Sequence, residues 1–266
     1  MQTCVPVRFE EEGPRHHLAA FKTPPPLDAA VVVATRRGPR LARVRGTPRP
    51  GQPEVEILRL ASDEDLKKAE RLKARGAEAY WRLKAFLKKQ FPKVKPVRVS
   101  YTLDGKVAFF FYKAERRAAF GKAMGELARL VGARVETVHL GPRDEVALLG
   151  ALGACGLETC CSTWLQSFGP STIRMARDQQ LPLSPEKISG PCGRLLCCIA
   201  YEHPIYKELL AGMPKKNARV CTRDGVCGKV AKHFPLKGEV EIKTPTGGLV
   251  TARVDELVSE QEGGSA

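Results

Sequence analysis

The hydrophobic pattern changes period several times along the chain. Up to about residue 60 the apolar residues fall in short runs broken by glycine and proline, which is the pattern of strands. Val31 to Thr35 reads as a strand, Arg36-Arg37-Gly38-Pro39 as a turn, and Leu41 to Val44 as the returning strand. Thr47 to Gly51 reads as loop, and Val55 to Leu60 as a further strand. From Ser62 the period becomes 3.6. Ser62 is placed to cap a helix, with Asp63, Glu64 and Asp65 in the first turn. Leu66, Ala69, Tyr80, Leu83, Leu87 and Phe91 recur on one face, which Lys73 interrupts with a charge and Gly76 weakens. Lys67, Lys68, Arg71, Arg75, Arg82, Lys88 and Lys89 mark the wet face, and Pro92 ends the helix.

Alternation follows. Val97, Val99, Tyr101 and Leu103 alternate with Arg98, Ser100 and Thr102, and Asp104-Gly105 is a two-residue turn. Val107 to Tyr112 is apolar on both faces, which places it inside a sheet. A second helix is expected from about Glu115 to Val131, ended by Gly132, and a third strand over 133–140. This order, α-β-β-α-β, predicts helices layered on an antiparallel or mixed sheet. Residues 141–212 are broken by glycine and proline. They predict a helix at Pro170 to Gln180, loop from Gln180 to Pro191, and a short helix begun by Pro204. Strands return at 218–222, 226–231, 239–244 and 250–257, a small barrel-like unit. The expected class is therefore α+β: a β segment over 1–60, a core over 61–140, a cysteine-rich short-helix segment over 141–212, a barrel-like segment over 213–260, and a tail over 261–266.

Charge adds a class of partner. The 266 residues carry 44 Lys and Arg against 29 Asp and Glu, a net +15. Such a surplus favours anionic partners, RNA, DNA, an acidic protein or an anionic membrane surface, and does not choose among them. Six arginines and no acid lie between residues 36 and 49. Arg36, Arg37, Arg40, Arg43 and Arg45 form the expected nucleic-acid or partner surface there, with Arg194 as a further contact. No apolar run reaches the roughly 20 residues that span a bilayer, and the first residues lack signal-peptide character, so a cytoplasmic protein is expected. His16, His17, His139, His203 and His233 are scattered, with no nucleophile–base–orienter set, so an enzyme is not expected.

The cysteines narrow the chemistry. There are nine, and six lie between Cys155 and Cys198. Gly153-Ala154-Cys155-Gly156-Leu157-Glu158-Thr159-Cys160-Cys161 and Gly190-Pro191-Cys192-Gly193-Arg194-Leu195-Leu196-Cys197-Cys198 share one pattern, Gly-x-Cys-Gly-x-x-x-Cys-Cys. Thiolates are soft ligands suited to iron–sulfur clusters, zinc or copper(I). Glycine beside the first cysteine allows a tight turn that brings backbone N–H groups toward a negative centre. Six thiols exceed the four that one tetrahedral zinc or one cubane takes from protein. Either one site uses four of them, or two sites exist and a partner completes them. Cys161 and Cys198 are also candidates for simple packing. Disulfides are disfavoured in the expected compartment. Cys221 and Cys227 flank a turn and can face each other across a hairpin; they and Cys4 read as structural or incidental.

These residues resemble the PSP1 C-terminal-domain family. The resemblance is carried by Val138-His139-Leu140-Gly141-Pro142-Arg143-Asp144-Glu145, Cys155-Gly156, Cys160-Cys161-Ser162-Thr163, Ile173-Arg174-Met175-Ala176, Lys187-Ile188-Ser189-Gly190, Cys192 to Cys198, and Tyr201-Glu202. It implies a non-enzymatic subunit of a regulatory complex with two small helical proteins of the YlbF/YmcA type. It implies [4Fe-4S] clusters on Cys155, Cys160, Cys161, Cys192, Cys197 and Cys198, shared with partner subunits or held alone. It further implies assistance to the membrane-anchored endoribonuclease Y in mRNA processing and maturation, with recruitment to the membrane by a partner and, in spore formers, effects on sporulation. The competing expectation from the residues themselves is an RNA- or DNA-binding protein whose cysteines hold a structural zinc.

Overall fold

A computed structural model describes residues 2–13 and 15–258; the expected tail at 261–266 lies outside them. The chain divides into two compact units, Met1–Ser167 with Gly190–Arg194, and Phe168–Ser189 with Leu195–Ala266.

The first unit opens with a barrel of β1 (Gln2–Arg8), β2 (His16–Ala20), β3 (Ala30–Thr35), β4 (Gly38–Val44), β5 (Arg49–Gly51) and β6 (Val55–Leu60). The strand order is β2-β6-β3-β4-β1-β5, and β2 also pairs with β1, so five strands close on themselves. Inward residues alternate: Val5 and Val7, Val31 and Val33, and Ala42 and Val44 fill the interior with Phe9, Ala19 and Ile57. Closure depends on β2 running antiparallel to β1 and parallel to β6, with Ala19 opposite both Val5 and Val55. The stretch expected to be loop, Thr47 to Gly51, instead contributes β5. It holds Pro50 because β5 pairs with β1 alone, and an edge strand has no second neighbour needing that N–H.

Next come α1 (Asp63–Gln90), β7 (Lys95–Tyr101), β8 (Val107–Lys113), α2 (Met124–Val131) and β9 (Arg134–Leu140). β8 is central, antiparallel to β7 and parallel to β9, so of the two sheet types expected, antiparallel or mixed, the sheet is mixed. Leu83 and Leu87 of α1 and Leu127 and Val131 of α2 pack on Phe110 and Tyr112 from one face of β8. Val107, Phe109 and Phe111 point the other way, against Leu140 and Leu148. Leu148 belongs to α3 (Pro142–Leu149), which is followed by the single turn α4 (Cys160–Thr163). The Ser62 hydroxyl accepts the Asp65 N–H while the Asp65 carboxylate accepts the Ser62 N–H, the reciprocal cap the sequence indicates.

One local expectation is extended and another fails. Gly76, the gap in the apolar stripe of α1, lets the helix touch β7, because a Cβ there would lie 2.4 Å from the Val99 carbonyl oxygen. The helix expected from Glu115 begins only at Met124, after a short 3-10 turn at Gly121–Ala123. The residues before it are held by the sheet: Ala118 N–H donates to the Tyr112 hydroxyl at 3.1 Å, and the His139 ring bonds the Ala114 carbonyl at 2.9 Å.

The second unit contains α5 (Ile173–Asp178), α6 (Pro185–Ile188) and α7 (Cys197–Ala211), then β10 (Arg219–Thr222), β11 (Cys227–Phe234), β12 (Glu239–Lys243), β13 (Leu249–Arg253) and β14 (Leu257–Val258). Ala176, Ile188 and Ile199 form its helical core. Gln179 donates to the Ile199 carbonyl at 2.6 Å, and the His203 ring bonds the Asp178 carboxylate at 3.0 Å, tying α7 to α5. The expected loop before Pro191 therefore contains a helical turn. The last helix begins at Cys197 and carries Pro204 inside it rather than at its start. The strands follow the order β13-β12-β11-β10-β14 around Val220, Val230, Val240, Ile242 and Ala252. Among the described residues no helix is long and apolar enough to cross a membrane.

Candidate functional site

The duplicated sequence folds twice into one local shape. In the first copy Gly153 N–H donates to the Leu157 carbonyl at 2.8 Å, Gly156 N–H to Gly153 at 3.0 Å, and Thr159 N–H to Ala151 at 2.9 Å. In the second, Gly190 N–H donates to Arg194, Gly193 N–H to Gly190, and Leu196 N–H to Ile188, each at 2.9 Å. A single antiparallel bridge closes each hairpin, Leu152 with Glu158 and Ser189 with Leu195. Gly156 and Gly193 turn the chain at φ +79° and +73°, the left-handed region that glycine enters without penalty.

Each hairpin delivers the chain into a helix whose first two residues are the adjacent cysteines. Thr159 and Leu196 occupy the cap position with nearly identical backbone, φ −60° and ψ 135° against φ −53° and ψ 128°. Cys160 and Cys161 begin α4; Cys197 and Cys198 begin α7. At the start of the fifteen-residue α7 the backbone favours negative charge; α4 is a single turn, whose Ser162 N–H donates to the Thr159 carbonyl at 2.9 Å.

The six thiols are not equally accessible. Cys155 is exposed, Cys160, Cys192, Cys197 and Cys198 are half-buried, and Cys161 is buried. The packing role considered for Cys161 and Cys198 thus suits Cys161, whereas in the second copy the next residue, Ile199, enters the core. The flanks differ as well. Leu152 and Leu157 frame the first hairpin with about 70% of their surface exposed, and their second-copy counterparts are Ser189 and Arg194. The donor chemistry suits a thiophilic centre. Among the described residues, however, no three His, Cys, Asp or Glu side chains converge on a common metal position.

The expected basic surface is partly dismantled by acids from elsewhere in the fold. Arg37 pairs with Glu136 at 3.1 Å, and Arg45 pairs with Asp28. Arg40 is buried, paired with Glu12, and lies between the rings of Phe9 and Phe109 at 4.4 and 4.5 Å. Arg40 is therefore a structural cation, not a surface contact. Arg43 donates to the Asp28 carbonyl, Arg36 stays exposed, and Arg194 is exposed beside Gly141 at the start of α3. Cys221 and Cys227 face each other in register across the β10–β11 hairpin and form a disulfide. Cys4 is fully buried. What sequence reasoning missed was the placement of both vicinal pairs at helix starts. The signal was available: Cys160 and Cys197 hold equivalent places, yet Pro204 drew the helix start away from Cys197.

The PSP1 C-terminal conserved region matches residues 55–138, from β6 to β9. The third domain of PSP1-like proteins matches residues 170–213, which include the second cysteine hairpin and α7. The chain is 32% identical over 231 residues to the stage 0 sporulation protein YaaT of Bacillus subtilis (strain 168), covering 85% of this chain and 84% of that protein. No solved structure matches it. With identity sustained over that length, the chain belongs to the PSP1 family that includes the stage 0 sporulation protein YaaT.

Proposed function

We propose that this protein is a non-enzymatic regulatory adaptor whose duplicated motif binds iron–sulfur clusters. The observation that carries the reading is the repeated backbone frame, a left-handed glycine turn leading into a helix that starts with two cysteines. One such frame is a common accident; two frames with matching hydrogen bonds indicate a shared task. The ligand set proposed is Cys155, Cys160 and Cys161 with Cys192, Cys197 and Cys198. The thiols supply soft donors, and the turn and helix-start N–H groups supply positive dipoles toward sulfide. A bound cluster would supply redox-sensitive, oxygen-sensitive cross-linking chemistry.

Six thiols exceed the four that one cluster takes from protein, and we propose that two centres exist and that partner subunits complete them. Small helical proteins of the YlbF/YmcA type are the partners the family resemblance implies. The bare leucines Leu149, Leu152 and Leu157 around the first hairpin support a protein-docking role. In the proposed setting the complex assists endoribonuclease Y in mRNA maturation and regulates sporulation in spore formers. The test is anaerobic purification of the protein alone and with its partners, followed by iron, sulfide and zinc analysis. About four irons and four sulfides per centre support the reading. One zinc without sulfide sinks it.

A further inference from the structure

A second feature of the first unit has no role in that account. β4, α1 and β7 enclose a cleft of about 910 Å³, at the upper end of ligand-site volumes. Five cations line it, Arg8, Arg40, Arg43, Lys73 and Arg98, against the carboxylates of Glu11 and Glu70. Three of the cations are engaged: Arg40 pairs with Glu12, Arg43 donates to the Asp28 carbonyl, and Arg98 donates to the carbonyls of Glu11 and Leu148. The surplus remains positive. The buried Nε of Arg8 has no hydrogen-bond partner, so the Arg8 guanidinium keeps unused hydrogen-bonding capacity beside the cleft it lines. Lys73, the charge that breaks the apolar stripe of α1, stands on the cleft wall.

The wall also carries Trp81, which is 63% exposed. The core of α1 is filled by Leu83 and Leu87 and does not need this ring. Lys84 approaches Trp81 at 4.6 Å and Tyr80 meets it edge-on at 5.3 Å, so the indole is held by a cation and a neighbouring ring. From Leu66 to Trp81 the lining of α1 runs about 22 Å; it is mostly apolar with Lys73 and Glu70 on it, and Arg8, Arg43 and Arg98 line the cleft from β1, β4 and β7. Cations and an exposed aromatic in one cleft are how proteins hold single strands: phosphates follow the cations and a base stacks on the ring. A duplex keeps its bases stacked and offers no face to Trp81. An acidic peptide satisfies the cations but leaves the indole unused.

We propose that this cleft binds single-stranded nucleic acid, with phosphates along Arg8 and Lys73 and a base stacked on Trp81. The site uses no residue of the duplicated motif, so it stands whether or not iron is bound.

The test uses the full chain with Trp164→Phe, which leaves Trp81 as its sole tryptophan. A short labelled oligouridylate is titrated with anisotropy and indole emission read together. Binding with quenching of Trp81 is expected. Trp81→Ala should weaken it roughly 5- to 150-fold, the range of one base–aromatic stack, with Trp81→Tyr restoring most of the loss. Lys73→Glu should weaken binding and flatten its salt dependence. AMP and an oligoglutamate peptide are the comparison ligands. Strand binding without quenching, or unchanged affinity in Trp81→Ala, overturns the proposal. So does oligoglutamate binding as tightly as the strand, or AMP matching the strand, which would mark a free-nucleotide pocket. Both Trp81 variants alter an exposed side chain, and matching unfolding curves confirm that each is folded.

Discussion

Gly76 and Gly125 both lie inside helices, yet the same substitution should push stability in opposite directions. At Gly125 in α2 an added Cβ meets nothing within 4 Å. Alanine there gains only the reduced freedom of the unfolded chain and better helix propensity, about 0.5–1 kcal/mol. At Gly76 the Cβ would sit 2.4 Å from the Val99 carbonyl oxygen and 3.4 Å from its carbon. Those are main-chain atoms of β7, so no side chain can swing away. Forcing helix and strand apart costs about 1–3 kcal/mol, offset by about 1 kcal/mol of propensity. Gly76→Ala should therefore lose up to about 2 kcal/mol while Gly125→Ala gains up to about 1. Urea unfolding of the intact chain, followed by the far-ultraviolet helix signal, reads both, with an unchanged slope showing that only stability moved. Gly76→Ala more stable than the parent would refute the close approach of α1 to β7.

The Arg59 guanidinium and the Ser62 N–H hold the Asp65 carboxyl well below the usual carboxylate range. A depressed folded-state pKa stabilises above the unfolded pKa of about 4, and that stability is lost as pH falls through the folded value. Asp65→Asn should destabilise the chain at neutral pH, and urea midpoints should converge with the parent's as the pH drops below about 4. The Cys221–Cys227 link closes a short loop, worth roughly 2 kcal/mol by loop-closure entropy. Reductant should lower the thermal midpoint of the second unit in the parent but leave a Cys221→Ser, Cys227→Ser double variant unmoved.

How much was legible depended on how local the cause was. The helix 62–91 announced itself through Ser62, Asp65 and a 3.6-residue stripe, because capping and amphipathic burial are written within a few residues. The strand at 107–112 was readable as interior from its unbroken apolar run. Barrel closure was not readable, since the pairing of Ala19 with both Val5 and Val55 joins segments far apart in sequence. Nor was the meaning of Gly76, which lies in a β7 carbonyl that sequence distance hides. Arg40 looked like surface because its own neighbours are basic; Glu12, Phe9 and Phe109 come from elsewhere. Repetition made the cysteine motif legible. The start of α7 at Cys197 was hidden because Pro204, a residue common at a helix start, lies within that helix.

The proposed cluster site requires the two cysteine hairpins to be equivalent ligand-bearing frames. The direct measurement is the iron and sulfide content of anaerobically prepared protein, alone and with partners, for the parent and for Cys155→Ser and Cys192→Ser. Each substitution should lower iron and sulfide together while the unfolding curve stays close to the parent's. Parental iron in both variants would remove these cysteines from the ligand set and contradict the central claim.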